Sequence, residues 1–200
     1  MPRILVLDLD GVVVRGHPGG GRWDKHLERD LGIPPDRLQA HFFKPHWPRI
    51  VTGTVDMMEV LHAVWPALGA PAAPEDLVAY WFAADSRIDP DVLAAVAAWR
   101  GAGRRAFLAT VQEHRRARYL MHDLNLVAHF DAMLYSADLG AAKPDPAFYT
   151  RAQARLPAAS PGEVIFLDDQ SANVEAARAF GWRARPYTAI ADLHAALAEP

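Results

Sequence analysis

Acidic, hydroxyl and amino side chains recur where short apolar runs of the chain end. The residues at these positions are Asp8 and Asp10 after the first run, Thr110 after the second, Lys143 between the third and the fourth, and Asp168 and Asp169 after the fourth. If the runs are parallel strands, their carboxyl ends meet at one edge of a sheet, where such folds bind ligands. The spacing therefore predicts one shared site built from these residues.

The carboxylates of this set indicate a metal site. Asp8, Asp10 and one of Asp168 or Asp169 supply hard oxygen ligands. Such a set suits Mg²⁺, which takes few carboxylates together with waters and a substrate phosphate. Carboxylates packed this closely repel one another, so a cation is needed to bring them together. We therefore expect Mg²⁺ at this edge of the sheet.

The same residue types fit phosphoryl transfer through a covalent intermediate. A carboxylate near Mg²⁺ can attack phosphorus and form an acyl phosphate. A second carboxyl two residues further along can protonate the leaving oxygen and then deprotonate water. Lys143 would neutralise phosphate charge and hold the nucleophile. Thr110 and the backbone amide of Val111, at a helix start, can donate hydrogen bonds to phosphate oxygens.

The apolar runs have the length and composition of strands buried on both faces of a parallel sheet. Four of them are Ile4–Leu7, Ala106–Ala109, Ala132–Tyr135 and Val164–Leu167, and a weaker fifth is Trp182–Tyr187. Helical patterns alternate with them after Asp89 and at Glu113–Asn125, Pro146–Leu156 and Asn173–Phe180. This alternation predicts an α/β fold with a doubly wound, mostly parallel sheet and helices on both faces.

Residues 15–87 interrupt the alternation, because they lie between the first two strands and are too many for a plain crossover. Helical patterns occur at Trp23–Leu31, Pro35–Phe43, Asp56–Val64 and Glu75–Ala83, with breaks expected at Pro48, Gly53 and Gly69–Pro74. No run in this stretch has the pattern of a strand. We expect a small all-helical domain at 15–87, inserted into a core formed by 1–14 and 88–200.

Composition and charge argue against several classes of protein. A hydrophobic fraction of 51% supports a sizeable core, and a formal net charge of −3 gives no electrostatic attraction to nucleic acid or an anionic membrane. The arginines of Arg104–Arg105 and Arg115–Arg118 are predicted to be solvated. The absence of Cys excludes disulfides and cysteine nucleophiles. The first apolar run is too short for a signal peptide or a membrane span, so we expect a cytoplasmic protein, either monomeric or weakly dimeric.

At these positions the sequence resembles the haloacid dehalogenase superfamily over nearly its whole length. The four motifs that carry the resemblance are Leu7–Val12, Leu108–Thr110, Gly140–Asp145 and Phe166–Asn173. The resemblance implies a Rossmann-like core with a helical cap after the first motif. It also implies a Mg²⁺-dependent phosphatase that acts on a small phosphorylated metabolite, with a sugar phosphate favoured.

The resemblance further implies a role for each motif residue. Asp8 looks like the nucleophile and Asp10 like the general acid and base. The Asp8 carboxylate, the Asp10 backbone carbonyl and the Asp169 carboxylate would hold Mg²⁺, with Asp168 beside them but not bound to the ion. The residues implied in phosphate binding are Asp10, Thr110, Val111 and Lys143. The helical cap would close over the site, exclude water and select the substrate.

Residues of the helical stretch offer further candidates with two interpretations each. Arg49, which lies with His46 and Thr52 near Gly53, either binds an anionic substrate or stands at the surface. Arg15 and His17, which follow the first motif, either face the entrance of the site or stand at the surface away from it. The aromatic side chains expected in the interior of the helical stretch are Trp47, Trp65, Trp81 and Phe82.

Three other functions remain open at the level of sequence. A haloacid dehalogenase needs neither Mg²⁺ nor a protonating acid at the second aspartate of the first motif, so Asp10 argues against it. A phosphomutase keeps both aspartates, and the sequence does not distinguish it from a phosphatase. A catalytically idle binding module is suggested only by Val111, which replaces the family's usual Asn and retains only the backbone amide for phosphate.

Overall fold

A computed structural model describes residues 3–16, 21–157 and 160–199 and contains one sheet of five parallel strands. The strands are β1 (Ile4–Leu7), β2 (Arg105–Thr110), β3 (Ala132–Tyr135), β4 (Val164–Asp168) and β5 (Arg183–Pro186), in the spatial order β3-β2-β1-β4-β5. All five apolar runs form strands, so the predicted α/β class with a parallel sheet is confirmed. Pro186 ends an edge strand, a position in a sheet that tolerates proline.

The register of the central strands brings three carboxyl ends together. Leu7 of β1 pairs with Leu108 of β2 on one side and with Leu167 of β4 on the other, and all three are fully buried. The residues that follow β1, β2 and β4 consequently leave the sheet at the same edge. That edge is where doubly wound sheets bind their ligands.

Helices cover both faces of the sheet. They are α6 (Pro90–Gly101), α7 (His114–Arg118), α8 (Ser136–Leu139), α9 (Pro146–Arg155), α10 (Ser171–Phe180) and α11 (Ile190–Ala198). Val96 of α6 and Leu193 of α11 belong to the hydrophobic cluster on one face, and Phe148 of α9 and Val174 of α10 to that on the other. The chain after α7 continues as a π-helical turn, Tyr119–Asp123.

Residues 15–87, which lie between β1 and β2 and which we call the helical insertion, contain five α-helices within their described part. They are α1 (Leu27–Leu31), α2 (Pro35–Leu38), α3 (Lys44–Ile50), α4 (Met57–Leu68) and α5 (Pro74–Ala84), with a π-helical turn at Gln39–Phe43 between α2 and α3. Their apolar faces enclose a hydrophobic cluster that includes Phe42, Ile50 and Leu61. The expected break at Pro48 was wrong, because burial of Phe42 and Ile50 outweighs the hydrogen bond that Pro48 cannot make.

The two connections between the helical insertion and the rest of the chain run side by side. The Arg15 N–H donates to the Arg87 carbonyl at 2.8 Å, and the Asp89 N–H donates to the Val13 carbonyl at 2.9 Å. Asp89 also caps α6, because its carboxylate accepts hydrogen bonds from the Asp91 and Val92 N–H groups. Within the described ranges, none of the helices has the length and apolar character that crossing a membrane requires.

Candidate functional site

The polar residues that follow β1, β2 and β4 surround a cavity of about 330 Å³. Its walls contain six of the residues predicted from sequence, namely Asp8, Asp10, Thr110, Val111, Lys143 and Asp169, together with Gly11, Gln170 and Asn173. The seventh, Asp168, is fully buried at the end of β4. The fold therefore brings together residues that are up to 161 positions apart (Asp8 to Asp169).

Lys143 is the buried cation of the site. Its ammonium donates to Asp8 Oδ1 at 2.9 Å, to Asp168 Oδ2 at 2.5 Å and to the Ala109 carbonyl at 2.8 Å. An ammonium has three donors, and each of these has an acceptor. Although burial opposes the charge, Asp8 and Asp168 hold the pKa of Lys143 above its usual range. The side chain is therefore a fixed positive charge that joins β1, β2 and β4.

The Asp8 carboxylate is held at one of its two oxygens. Oδ1 accepts hydrogen bonds from the Leu9 N–H at 2.7 Å and from Lys143. No described residue donates to Oδ2, which is therefore the oxygen available to a metal or a substrate. Burial raises the pKa of Asp8 to about 7, Lys143 opposes that rise, and the negative charge of Asp168 adds to it.

Asp168 is saturated by protein donors. Its oxygens accept hydrogen bonds from Lys143, from the Gln170 N–H at 2.8 Å and from the Asn173 side-chain amide at 3.0 and 3.1 Å. A carboxylate with every lone pair directed at a protein donor has little capacity left for a metal ion. Asp168 therefore holds the Lys143 ammonium in place, and its position beside the metal ligands stays a prediction.

Asp169 is exposed and lies against Gly11. A methyl group added at Gly11 would meet Asp169 Oδ2 at 2.4 Å, and Gly11 has a φ of +83°, which favours glycine. Glycine at this position thus lets the carboxylate approach β1. Partial desolvation by neighbouring groups raises the pKa of Asp169, a hydrogen bond from Gln170 opposes that rise, and the charge of Asp168 adds to it.

The acidic cluster distinguishes this cavity from larger ones. Among the described residues, one set of three potential metal-binding side chains has ligand atoms all within 4.8 Å of one another: Asp8, Asp168 and Asp169. Larger cavities of about 560 Å³ beside β5 and α11 and of about 630 Å³ along α2 and α3 contain no such set within the part of the chain that is described. Donor chemistry rather than volume therefore identifies the candidate site.

Asp10 has different surroundings from Asp8. Its Oδ2 accepts a hydrogen bond from the Gln112 side-chain amide at 2.5 Å, and Arg116 Nη2 lies 4.0 Å from its Oδ1. Half of the Asp10 side chain remains exposed to solvent. Desolvation by the cavity walls raises the pKa of Asp10 to about 6, against the lowering effect of Arg116.

The end of β2 supplies the other predicted phosphate contacts. Thr110 is the last residue of the strand and is buried, while Val111 follows it and is half-buried. Both residues line the cavity. Because the Val111 side chain carries no polar atom, the Thr110 hydroxyl and the backbone amides are the donors that this segment offers to an anion.

Gln112 and Arg116 are polar residues near the site that sequence reasoning missed. The arginines of Arg115–Arg118 were predicted to be solvated, and this is wrong for Arg116, which is 1% exposed. The sequence carries a signal for Gln112, which comes two positions after Thr110 at the end of β2. It carries none that separates Arg116 from Arg115 and Arg118, because Arg116 is buried against the helical insertion by tertiary packing.

The residues of the helical insertion that were considered for substrate binding are not among the described residues that line the cavity. Arg49 is exposed, and Thr52 donates to the Pro48 carbonyl at 2.8 Å within its own loop. Gly53 does contact the core, because a methyl group there would meet the Ala137 carbonyl oxygen at 2.4 Å. The loop is therefore seated beside α8 rather than in the cavity.

Arg15 is used in the structure of the core. Its guanidinium donates to the Asp89 carboxylate at 2.9 Å, to the Gly11 carbonyl at 3.2 Å and to the Tyr187 hydroxyl at 3.1 Å. These contacts fix the first connection to the helical insertion, and Arg15 is not among the described residues that line the cavity. The other candidate for that position, His17, lies outside the described residues.

Comparison with known proteins agrees with this geometry. The haloacid dehalogenase-like hydrolase family matches residues 2–181, and the chain belongs to that family of hydrolases. A curated relative, bifunctional epoxide hydrolase 2 of Rattus norvegicus, is 27% identical over 198 residues, covering 90% of this chain and 35% of the relative. The chain thus spans about a third of that protein's length.

Solved structures share the fold. A HAD family enzyme from Bacteroides thetaiotaomicron in a magnesium complex gives a TM-score of 0.81 at 16% identity, with 99% of each chain covered. The same enzyme with magnesium and inorganic phosphate gives 0.74 at 16% identity, covering 94% and 96%. L-2-haloacid dehalogenase from Xanthobacter autotrophicus, with chloropropionic acid covalently bound, gives 0.65 at 19% identity, covering 92% of this chain and 76% of that one.

Proposed function

We propose that the protein is a Mg²⁺-dependent phosphatase that hydrolyses a small phosphorylated metabolite through an aspartyl phosphate on Asp8. The observation that carries the proposal is the contrast between two neighbouring carboxyls. Asp8 is buried and contacts the Lys143 ammonium at 2.9 Å, whereas Asp10 is half-exposed, accepts a hydrogen bond from the Gln112 amide and lies 4.0 Å from Arg116 Nη2. Two carboxyls in such different surroundings suit two different roles.

Asp8 is suited to act as the nucleophile. Lys143 and the Leu9 amide hold Oδ1, so the carboxylate is fixed and Oδ2 is the oxygen left to form a bond. The new bond joins Oδ2 to phosphorus, and the bond between phosphorus and the leaving oxygen of the substrate breaks. The positive charge of Lys143 would stabilise the negative charge on the transferring group.

Asp10 is suited to move the protons of both steps. The leaving oxygen needs a proton in the first step, and the attacking water must lose one in the second. A carboxyl whose pKa is raised to about 6 can carry a proton near neutral pH and release it again. This acid also distinguishes the proposal from a haloacid dehalogenase, whose halide leaves without a proton.

The acidic cluster fits a hard divalent cation. Asp8 and Asp169 have carboxylate oxygens close enough to share one ion, and by resemblance to the family the Asp10 backbone carbonyl would be the third ligand. Asp168 is held back by its hydrogen bonds to Lys143 and Asn173. When bound, Mg²⁺ offsets the repulsion between these carboxylates and a phosphate and polarises the phosphoryl oxygens.

The helical insertion, residues 15–87, is proposed to act as a cap over the cavity. A cavity of about 330 Å³ suits a small metabolite, and a sugar phosphate is the favoured class within that size. The cap would exclude water from the phosphorylated Asp8 until the leaving group departs. This role rests on the position of the insertion between β1 and β2 and on its contacts beside α8.

The test is release of inorganic phosphate from a panel of phosphorylated metabolites, with a 2-haloacid and a sugar bisphosphate as comparisons. We expect phosphate release from at least one monoester with Mg²⁺ present and none in excess chelator. Full turnover in chelator, or halide release without phosphatase activity, would contradict the proposal. A requirement for catalytic amounts of the bisphosphate would instead indicate a phosphomutase.

A further inference from the structure

Two side chains from the segment after β2 hold the Asp10 carboxylate. Gln112 donates to Oδ2 at 2.5 Å, and Arg116 Nη2 lies 4.0 Å from Oδ1. Both are buried, at 3% and 1% exposure, whereas half of the Asp10 side chain faces the cavity and solvent. Because little packing restrains Asp10 itself, these two contacts set the orientation of its carboxylate.

Gln112 is connected to the helical insertion through Ser136. The Gln112 backbone N–H donates to Ser136 Oγ at 3.0 Å, and that hydroxyl donates to the Val51 carbonyl at 2.6 Å. Ser136 is fully buried, so protein groups rather than solvent satisfy its hydroxyl. The hydroxyl thereby joins the segment after β2 to the loop between α3 and α4.

Arg116 is connected to the helical insertion through Asp85. Its Nη2 donates to the Asp85 backbone carbonyl and lies 3.5 Å from the Asp85 carboxylate. The guanidinium carbon also lies 5.4 Å from the centre of the Phe82 ring, at the end of α5. Its Nη1 is buried and has no hydrogen-bond partner among the described residues. A buried donor without an acceptor lowers stability, so this position of Arg116 has an energetic cost.

We propose that Gln112 and Arg116 are positioning residues that hold the Asp10 carboxylate in its reactive orientation while the helical insertion is seated on the core. Each contacts Asp10 at one end and the insertion at the other, Gln112 through Ser136 and Arg116 directly. Displacement of the insertion would break both connections at once. The same position of the insertion would then both exclude water and orient Asp10 for proton transfer.

This inference rests on the proposed function and is tested with three variants, Gln112→Met, Arg116→Met and Ser136→Ala. The readout is kcat/KM, which covers the steps up to departure of the leaving group, for an alkyl phosphate and for nitrophenyl phosphate. Nitrophenolate leaves without a proton, so only the alkyl ester depends on Asp10 as an acid. We expect kcat/KM for the alkyl phosphate to fall about 10²-fold and that for nitrophenyl phosphate to fall less than about threefold.

Ser136→Ala is the most informative variant, because Ser136 neither contacts Asp10 nor belongs to the described residues that line the cavity. An effect on proton transfer must therefore pass through Gln112. Arg118→Met is the matched control, since Arg118 is exposed on the same helix, and should leave both values unchanged. A rise in melting temperature with Mg²⁺ and beryllium fluoride, which depends on Asp8, verifies that each variant is folded.

Equal losses for the two esters, or no loss for the alkyl ester in Gln112→Met or in Arg116→Met, would overturn the positioning role of the residue changed, and no loss in Ser136→Ala would overturn the connection of Gln112 to the helical insertion. A wild type that releases phosphate from no monoester of the metabolite panel or of this pair would instead overturn the proposed function, and the positioning role with it. The two failures are therefore distinguishable.

Discussion

Substitution of Lys143 by Met tests the electrostatic design of the site. The variant keeps a side chain of similar length but removes an ammonium bound to Asp8, to Asp168 and to the Ala109 carbonyl. Two buried carboxylates then lose their common partner. Removing one partner of a buried ion pair costs about 3–5 kcal/mol, so we expect the free energy of unfolding to fall by that amount at pH 8.

The loss should depend on pH with a definite sign. Lys143 now lowers the pKa of Asp8, and without it that pKa rises further above about 7. In the unfolded chain Asp8 ionises near 3.8, so the folded protein binds a proton that the unfolded chain has released. Stability therefore falls as the pH rises from about 4 through the folded-state pKa, and in the variant this fall continues above pH 7.

The assay is denaturant unfolding at pH 5.5 and pH 8 in the presence of chelator. We expect the difference between wild type and Lys143→Met to be smaller at pH 5.5 by about 1 kcal/mol or more. Lys44→Met is the control, because Lys44 is exposed on the helical insertion. An equal loss at both pH values, or one no larger than that of the control, would refute the electrostatic argument.

Three further predictions concern the catalytic residues and the metal. Asp10→Asn should lower kcat/KM about 10²–10⁴-fold for an alkyl phosphate and much less for nitrophenyl phosphate; equal losses would show that the proton comes from elsewhere. Because the pKa of Asp8 is about 7 without metal, calorimetry should show Mg²⁺ affinity falling about tenfold per pH unit below pH 7; a flat profile would contradict this. Gly11→Ala should displace Asp169 and weaken Mg²⁺ binding about tenfold or more, and an unchanged titration would count against Asp169 as a ligand.

The convergence of the site residues was predictable because it depends on two simple rules. Asp8, Thr110 and Asp168 each end a short apolar run, and the carboxyl ends of parallel strands meet at one edge. Lys143 precedes a helix on one face of the sheet, and its long side chain reaches that edge. No knowledge of helix packing is needed for this part of the prediction.

The role of Arg116 was not predictable in the same way. Arg115, Arg116 and Arg118 are the same residue type within four positions, yet Arg116 alone of these is buried. Its burial depends on where Phe82 and Asp85 of the helical insertion sit against α7. The position of one group of helices against another is set by tertiary packing, and local sequence patterns do not predict that packing. Packing of the same kind explains why α3 continues past Pro48.

The most direct test of the account is capture of the phosphoenzyme. Wild type, Asp10→Asn and Asp8→Asn are mixed with Mg²⁺ and nitrophenyl phosphate, quenched in acid and digested, and the phosphorylated peptide is identified by mass spectrometry. We predict phosphate on Asp8 in the wild type, a larger amount in Asp10→Asn because hydrolysis has lost its base, and none in Asp8→Asn. Equal phosphate in Asp8→Asn, or phosphate on another residue, would contradict the account.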